Sequence, residues 1–159
     1  MSRLESFIRR MQAQRLTLDC ACAAIADLPG PVLELGLGNG RTYHHLRERL
    51  PGRRIVAFDF KVTAQPDSVP SERDLVIGDI RETARAFVGT GAALVHSDLG
   101  SGVDARDLQT LRWLTALVPM LLARGGLAVS DLALDDAKLE PLSLPDGVAD
   151  ERYFLYRRF

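Results

Sequence analysis

Val32-Leu-Glu-Leu-Gly-Leu-Gly-Asn-Gly-Arg-Thr42 decides how this chain is read. Four residues, three of them apolar and one the acid Glu34, form a short strand that runs into a glycine-rich turn and then into a helical pattern. Gly36, Gly38 and Gly40 free the backbone to adopt positive φ and to approach a ligand with no Cβ in the way, and the helix that follows offers unpaired N–H groups to an anion. About twenty residues further on, Arg54-Ile-Val-Ala-Phe-Asp59 ends a second apolar run in an acid, at the separation at which nucleotide-binding α/β folds aim a carboxylate at ribose hydroxyls.

The surrounding sequence repeats the strand-then-helix alternation. Leu4, Phe7, Ile8 and Met11 recur at helical spacing, so the segment from about 4 to 28 reads as an amphipathic helix closed by Leu-Pro-Gly-Pro31. Thr42–Leu50 reads as a helix with Tyr43, Leu46 and Leu50 on one face, and Ile55–Phe58 as the second strand. Between Lys61 and Arg73, Pro66, Pro70 and several polar residues predict a loop where a standard α/β unit has a helix. Leu75–Ile77 is the third strand, followed by a helical stripe of Ile80, Ala84, Phe87 and Val88. Ala92–Val95 is the fourth, ending in His96-Ser-Asp-Leu-Gly100. Leu108, Leu111, Thr115, Val118 and Leu122 mark a helix over about 105–122 that Pro119 kinks or divides. Gly125 is its expected C-cap, and Gly125–Asp131 the fifth strand. Leu139–Leu144 and Arg152–Arg158 flank the turn signal Pro145-Asp146-Gly147 as a closing hairpin. The expectation is one α/β domain over residues 1–159: a Rossmann-like doubly wound sheet of about seven strands, mostly parallel with an antiparallel C-terminal hairpin, preceded by an N-terminal helix.

Composition narrows the partners. The chain has 159 residues, 47% of them hydrophobic, enough for one core but not for a cofactor domain plus a full substrate domain. A formal charge of −1 and a pI near 6.3 supply no general field for nucleic acid or membrane. No apolar run has the length of a membrane span, and the first residues lack a signal-peptide core, so a cytoplasmic setting is expected. Arg3, Arg9, Arg10 and Arg15 read as the solvated face of the first helix. Cys20 and Cys22, with no His or further Cys at ligand spacing, read as small packed thiols.

Taken together these motifs resemble the class I S-adenosylmethionine-dependent methyltransferases, in a compact bacterial branch. The resemblance rests on Glu34-Leu-Gly-Leu-Gly-Asn-Gly40 after the first strand, Asp59 after the second, Gly78-Asp79-Ile80 after the third and Asp98 after the fourth. It implies S-adenosylmethionine as cofactor. The turn of Gly36, Gly38, Asn39 and Gly40, with Glu34, would hold the methionine part, which needs N–H donors for its carboxylate and an acceptor for its ammonium. Asp59, with the neighbouring Phe60, would take the ribose, and Gly78, Asp79 and Ile80 the adenine. Asp98 and Leu99 would close the site near the sulfonium. Asp79 is also suited to capping the helix that follows it.

Methyl transfer needs alignment and water exclusion, and a base only if the acceptor arrives protonated. His96, Asp98 and Asp131, at neighbouring strand ends, are the catalytic candidates. The two aspartates faintly resemble the cation-binding pair of catechol-type O-methyltransferases, but a divalent cation is not expected, because the further amide ligand of that pattern is missing at Leu132. Tyr43, His44 and His45 lie in the first turn of a helix facing the site and read as ordinary packed or exposed residues. Ser97-Asp-Leu-Gly100 replaces the Asn-Pro-Pro-Tyr type of motif, which disfavours a planar amine; a small-molecule acceptor is expected, with room for a homo-oligomer that completes the pocket. Two other readings stand beside this one: a non-catalytic S-adenosylmethionine-binding subunit, and an NAD-dependent oxidoreductase, whose third fingerprint glycine is replaced by Arg41.

Overall fold

Successive side chains of a strand point to opposite faces, and here each face of the sheet has its own apolar layer. The computed structural model describes residues 1–159. Its elements are α1 (Arg3–Ala24), β1 (Val32–Leu35), α2 (Arg41–Arg49), β2 (Ile55–Asp59), β3 (Leu75–Ile77), α3 (Ile80–Thr83), β4 (Ala92–Ser97), α4 (Asp104–Leu121), β5 (Leu122–Ser130), β6 (Leu139–Pro141) and β7 (Phe154–Arg158). The strands form one seven-stranded sheet in the order β3-β2-β1-β4-β5-β7-β6. The first five are parallel, and β7 runs antiparallel to both β5 and β6, so the mixed doubly wound architecture is as the sequence implied.

Period-two alternation builds the layers. Ile55, Ala57, Leu94, Leu127, Val129 and Leu155 pack with α1 and α2, whereas Val56, Phe58, Val95, Ala128 and Tyr156 pack with Leu114, Leu117, Val118 and Leu121 of α4. From β1 the chain winds outward to β2 and β3, and from β4 it winds the other way to β5. The strand order therefore reverses between β1 and β4, which opens a crevice beyond their carboxyl ends.

Several local readings are corrected. The stripe Leu4, Phe7 and Ile8 is solvent-exposed; α1 packs instead through Ala13, Thr17, Leu18, Ala21 and Cys22, one half of the helix lying on the sheet and the other extending past it. A capping box between Ser2 and Glu5 satisfies the free end without tertiary contact. The helix stops at Ala24 rather than near 28. In α4, Leu108 is exposed, whereas Leu111 packs on the core and Val118 and Leu122 are buried as their spacing implies; the helix meets the sheet only in its C-terminal half, where Leu114, Leu117 and Leu121 join them. Pro119 sits within its last turn, the helix passes directly into β5 at Leu122, and Gly125 is not a C-cap. Gly125 and Gly126 belong to an irregularity where the β4 pairing shifts from Ala92↔Leu122 to Leu94↔Leu127. A Cβ on Gly126 would stand 2.8 Å from the Ala92 carbonyl oxygen, so the close approach requires glycine. Residues 61–73 hold two single 3₁₀ turns, Pro66–Ser68 and Glu72–Asp74, and no α-helix, as the prolines imply. The helical stripe after β3 is a single α turn continued by a 3₁₀ turn, Ala84–Phe87.

The join between α1 and β1 depends on one side chain. Arg53 donates to the carbonyls of Ile25 (3.0 Å), Ala26 (3.2 Å), Leu28 (2.7 Å) and Gly30 (2.9 Å). Its fork thereby satisfies orphan acceptors at the negative end of the helix. Arg53→Met is expected to lower stability to urea unfolding by about 2 kcal/mol, since charge-assisted bonds are lost from a half-buried position; an unchanged midpoint would show that these bonds are replaced by water.

Candidate functional site

The glycine turn leaves β1 across the end of β2. The N–H groups of Gly36 and Leu37 both donate to the Phe58 carbonyl, at 3.0 Å each. Gly38 then adopts φ 53°, and its N–H donates to Asp59 Oδ2 at 2.8 Å while the Phe60 N–H donates to Oδ1 at 2.7 Å. This fixes the carboxylate plane and leaves each oxygen with further acceptor capacity. A Cβ at Gly38 would meet no protein atom within 4 Å, so the space against this turn is free for a ligand. At Gly40 the reason for glycine is different: φ is 84° and a Cβ would lie 2.6 Å from that of Ser68. Gly40 is the N-cap of α2, and Asn39 just before it accepts the first helical N–H, that of Arg41, on its side-chain oxygen at 3.1 Å.

Beyond these strand ends lies a cavity of about 440 Å³. Gly36, Gly38, Asn39, Asp59, Phe60, Ile80, Asp98 and Leu99 line it, so the structure brings most of the sequence-derived set together. Met11, Gln14, Arg41, Thr42 and Ser101 also line it, and sequence reasoning missed them. Met11 and Gln14 come from α1, remote in sequence, and carry no local signal; Arg41 and Thr42 immediately follow the glycines and could have been found there. A second cavity of about 380 Å³ shares Phe60, Ile80 and Leu99 and adds Asp79, Arg81, Arg106 and Trp113. Asp79 caps α3 through the Arg81 N–H at 3.0 Å and pairs with Arg81 Nη2 at 2.6 Å, which holds its carboxyl below the ordinary value. Gly78 lies where the chain leaves β3, its N–H donating to the Asp59 carbonyl at 2.9 Å.

Glu34 and His96 are not on the cavity wall. The β1–β4 register pairs them directly, both are fully buried, and His96 Nδ1 lies 2.7 Å from Glu34 Oε2. Thr42 Oγ1 donates to the other Glu34 oxygen. Burial opposes a charge on His96, but the Glu34 carboxylate overcomes it and raises the imidazole above its ordinary value. The catalytic candidate His96 thus stands behind the site, with Nε2 lacking a hydrogen-bond partner. Its ring is stacked at 6.5 Å on that of Tyr153, a buried phenol whose OH is likewise unpartnered and whose ionisation is pushed up by burial and by Asp98 and Asp131.

The two aspartates are held unequally. Asp98 receives Arg10 Nη2 at 2.7 Å and Gln14 Nε2 at 3.0 Å, both from α1. Burial would raise its carboxyl, but the Arg10 guanidinium wins and keeps it below the ordinary value. Asp131 accepts from the N–H groups of Leu99 (3.1 Å) and Gly100 (2.7 Å), yet burial and the Asp98 charge push it up to about 6. Of the first-turn residues of α2, Tyr43 is buried beneath Arg47, His44 lies 3.8 Å from Glu48, and His45 bonds Asp19 at 2.8 Å.

Comparison with known proteins decides the family. A family described as S-adenosyl-L-methionine methyltransferase matches residues 1–158. The chain belongs to this methyltransferase family. A crystal structure of an S-adenosyl-L-methionine methyl transferase from Silicibacter pomeroyi DSS-3 is 48% identical, with 100% of this chain and 99% of that one covered and a TM-score of 0.93. The S-adenosylhomocysteine-bound Podospora anserina methyltransferase PaMTH1 shares the fold at 15% identity, covering 100% of this chain and 80% of that one, with a TM-score of 0.55. A caffeoyl-CoA O-methyltransferase from Staphylococcus aureus, described as putative in its structure report, does so at 12% identity over 91% and 83%, with a TM-score of 0.62. Among curated proteins the chain has no match. The protein is accordingly an S-adenosylmethionine-dependent methyltransferase, and no helix in it is long and apolar enough to cross a membrane.

The raised Asp131 carboxyl gives stability a pH dependence of known sign. Between the ordinary value of 3.8 and about 6 the folded state keeps a proton that the unfolded state has released, so stability falls as pH rises through that window. The expected loss is on the order of 3 kcal/mol, read from urea unfolding across the window. Asp131→Asn should flatten that slope; the same slope in the variant would assign it to another group.

Proposed function

We propose that this methyltransferase transfers a methyl group to a small-molecule acceptor that enters beside α1. The observation that carries the reading is the cavity at the strand-order reversal, with Gly38 and Asp59 at one end and Asp98, Met11 and Gln14 at the other. Its volume of about 440 Å³ is that of a small-molecule site. Free thiols at Cys20 and Cys22 are in keeping with a cytoplasmic setting.

The residues fit the cofactor by their unused valences. Asp59 keeps acceptor capacity on both oxygens after taking the Gly38 and Phe60 N–H groups, as two ribose hydroxyls require. Gly36, Gly38 and Asn39 line the cavity for the methionine part, Gly38 with an open face, while Gly40 packs against Ser68 and shapes the turn behind them. Ile80, Leu99 and Phe60 offer apolar surface for the adenine, with Asp79 at its edge and Gly78 shaping the turn before it. Bound S-adenosylmethionine supplies an activated methyl group on a sulfonium. The chain's task is then to align the acceptor, exclude water and receive a proton where the acceptor carries one. Asp98 is the carboxylate at the cavity and is kept ionised by Arg10, so its oxygens are the proton's first acceptor. Asp131 supports it from behind through the Leu99 and Gly100 N–H groups. Glu34 and His96 act one layer deeper as positioning residues, holding Thr42 and the start of α2 against the glycine turn.

Titration calorimetry with S-adenosylmethionine, S-adenosylhomocysteine and NAD⁺ tests the assignment. Both adenosyl ligands should bind and NAD⁺ should not. Asp59→Ala should weaken binding on the order of a hundredfold, the value of two bonds to a charged acceptor, and Gly38→Val should abolish it by filling the open face. Undiminished binding by either variant would refute the site.

A further inference from the structure

Backbone N–H groups of the glycine turn are the donors that the family resemblance implies for the cofactor's carboxylate, but the fold uses most of them itself. Those of Gly36 and Leu37 go to the Phe58 carbonyl, that of Gly38 to Asp59, that of Gly40 to the Leu37 carbonyl and that of Arg41 to the Asn39 side chain. Along this run Asn39 alone keeps a free N–H. A carboxylate in the cavity therefore needs a further donor.

One cation stands on the cavity wall. Arg41 is exposed and lines the cavity, and its side chain makes neither a hydrogen bond nor an ion pair within the chain. The other charged residues of that wall, Asp59 and Asp98, are acids, and Arg10 is committed to Asp98. Arg41 also borders a smaller cavity of about 170 Å³ that Arg15 and His45 help to line, but His45 is bonded to Asp19 at 2.8 Å and Arg15 lies 3.5 Å from the same carboxylate. Arg41 alone among them is unengaged.

Its place in the helix points the same way. Arg41 is the first residue of α2, at the positive end of the helix dipole, where a cation is unfavourable unless an anion lies against it. The helix carries no acid in its first turn, and Gly40 provides no side-chain cap. We propose that Arg41 binds the carboxylate of the cofactor's amino-acid part. The inference rests on the reading of this cavity as the S-adenosylmethionine site. A planar guanidinium meets a carboxylate through two parallel N–H bonds. The ribose on Asp59 and the carboxylate on Arg41 then bracket the glycine turn, one at the end of β2 and the other at the start of α2, and the site selects ligands that keep the amino-acid end intact.

Titration calorimetry without any acceptor tests this with S-adenosylhomocysteine and its decarboxylated analogue, which keeps the adenosine, thioether and amine and lacks only the carboxylate. Wild-type protein should bind the analogue about thirtyfold more weakly. Arg41→Gln should weaken S-adenosylhomocysteine by about the same factor and leave the analogue unchanged, which also shows the variant to be folded; Arg15→Gln should change neither. Equal losses on both ligands would make Arg41 a support of the turn. No loss on either would assign its charge to an acceptor or to solvent, and a matching loss in Arg15→Gln would show a general field. Each of these overturns the proposal. Wild-type protein that bound neither ligand would overturn the cofactor site, and this assignment with it.

Discussion

The pairing of Glu34 with His96 in the middle of the sheet is the constraint on which the rest of this structure depends. The two residues are opposite one another in the β1–β4 register, at the place where strand order reverses. A carboxylate buried there without a partner would be strongly destabilising, so the register, the imidazole and the Thr42 hydroxyl are required together. A slip of one residue would turn Glu34 into the opposite apolar layer, against Val56, Phe58 and Val95, and would turn Leu33 and Leu35 out of it. The pair thus fixes the two strands whose ends define the crevice. Through Thr42 it also fixes the start of the helix behind the glycine turn.

The site inherits its order from that arrangement. With β1 and β2 in register, the turn crosses the end of β2, and Asp59 becomes the natural acceptor for the Gly38 N–H. With β4 and β5 in register, Ser97 and Ser130 hydroxyls meet at 3.0 Å, and Asp98 and Asp131 follow them as neighbours. Two carboxylates so close cannot be equivalent. Arg10 settles the difference in favour of an ionised Asp98, and Asp131 retains its proton to higher pH. The N-terminal helix is therefore part of the electrostatics of the site as well as of the core.

Much of this was legible in the sequence because it is written in short-range patterns. Strand, glycines and a distal acid are local features, and their spacing carried the sheet, the turn and Asp59. Burial of Glu34 followed from an acid inside an apolar strand, but its partner did not, since His96 is brought to it by strand pairing 62 residues away. The same holds for Arg10 and Gln14, whose roles arise from contacts spanning more than 80 residues. Helical periodicity misled where a helix has an apolar face that its own domain leaves open: Leu4, Phe7 and Ile8 obey the core pattern and lie in solvent. In α4 the spacing found Val118 and Leu122 and failed at Leu108, which precedes the point at which the helix meets the sheet.

The most direct test of the central claim is a crystal structure of the protein with S-adenosylhomocysteine. The account predicts the ribose hydroxyls on the Asp59 carboxylate, the amino-acid part against the backbone of Gly36 and Gly38, and the thioether sulfur directed toward Asp98, with Glu34 and His96 still paired beneath. Ligand density outside this crevice, or a ribose held by any group other than Asp59, would contradict it.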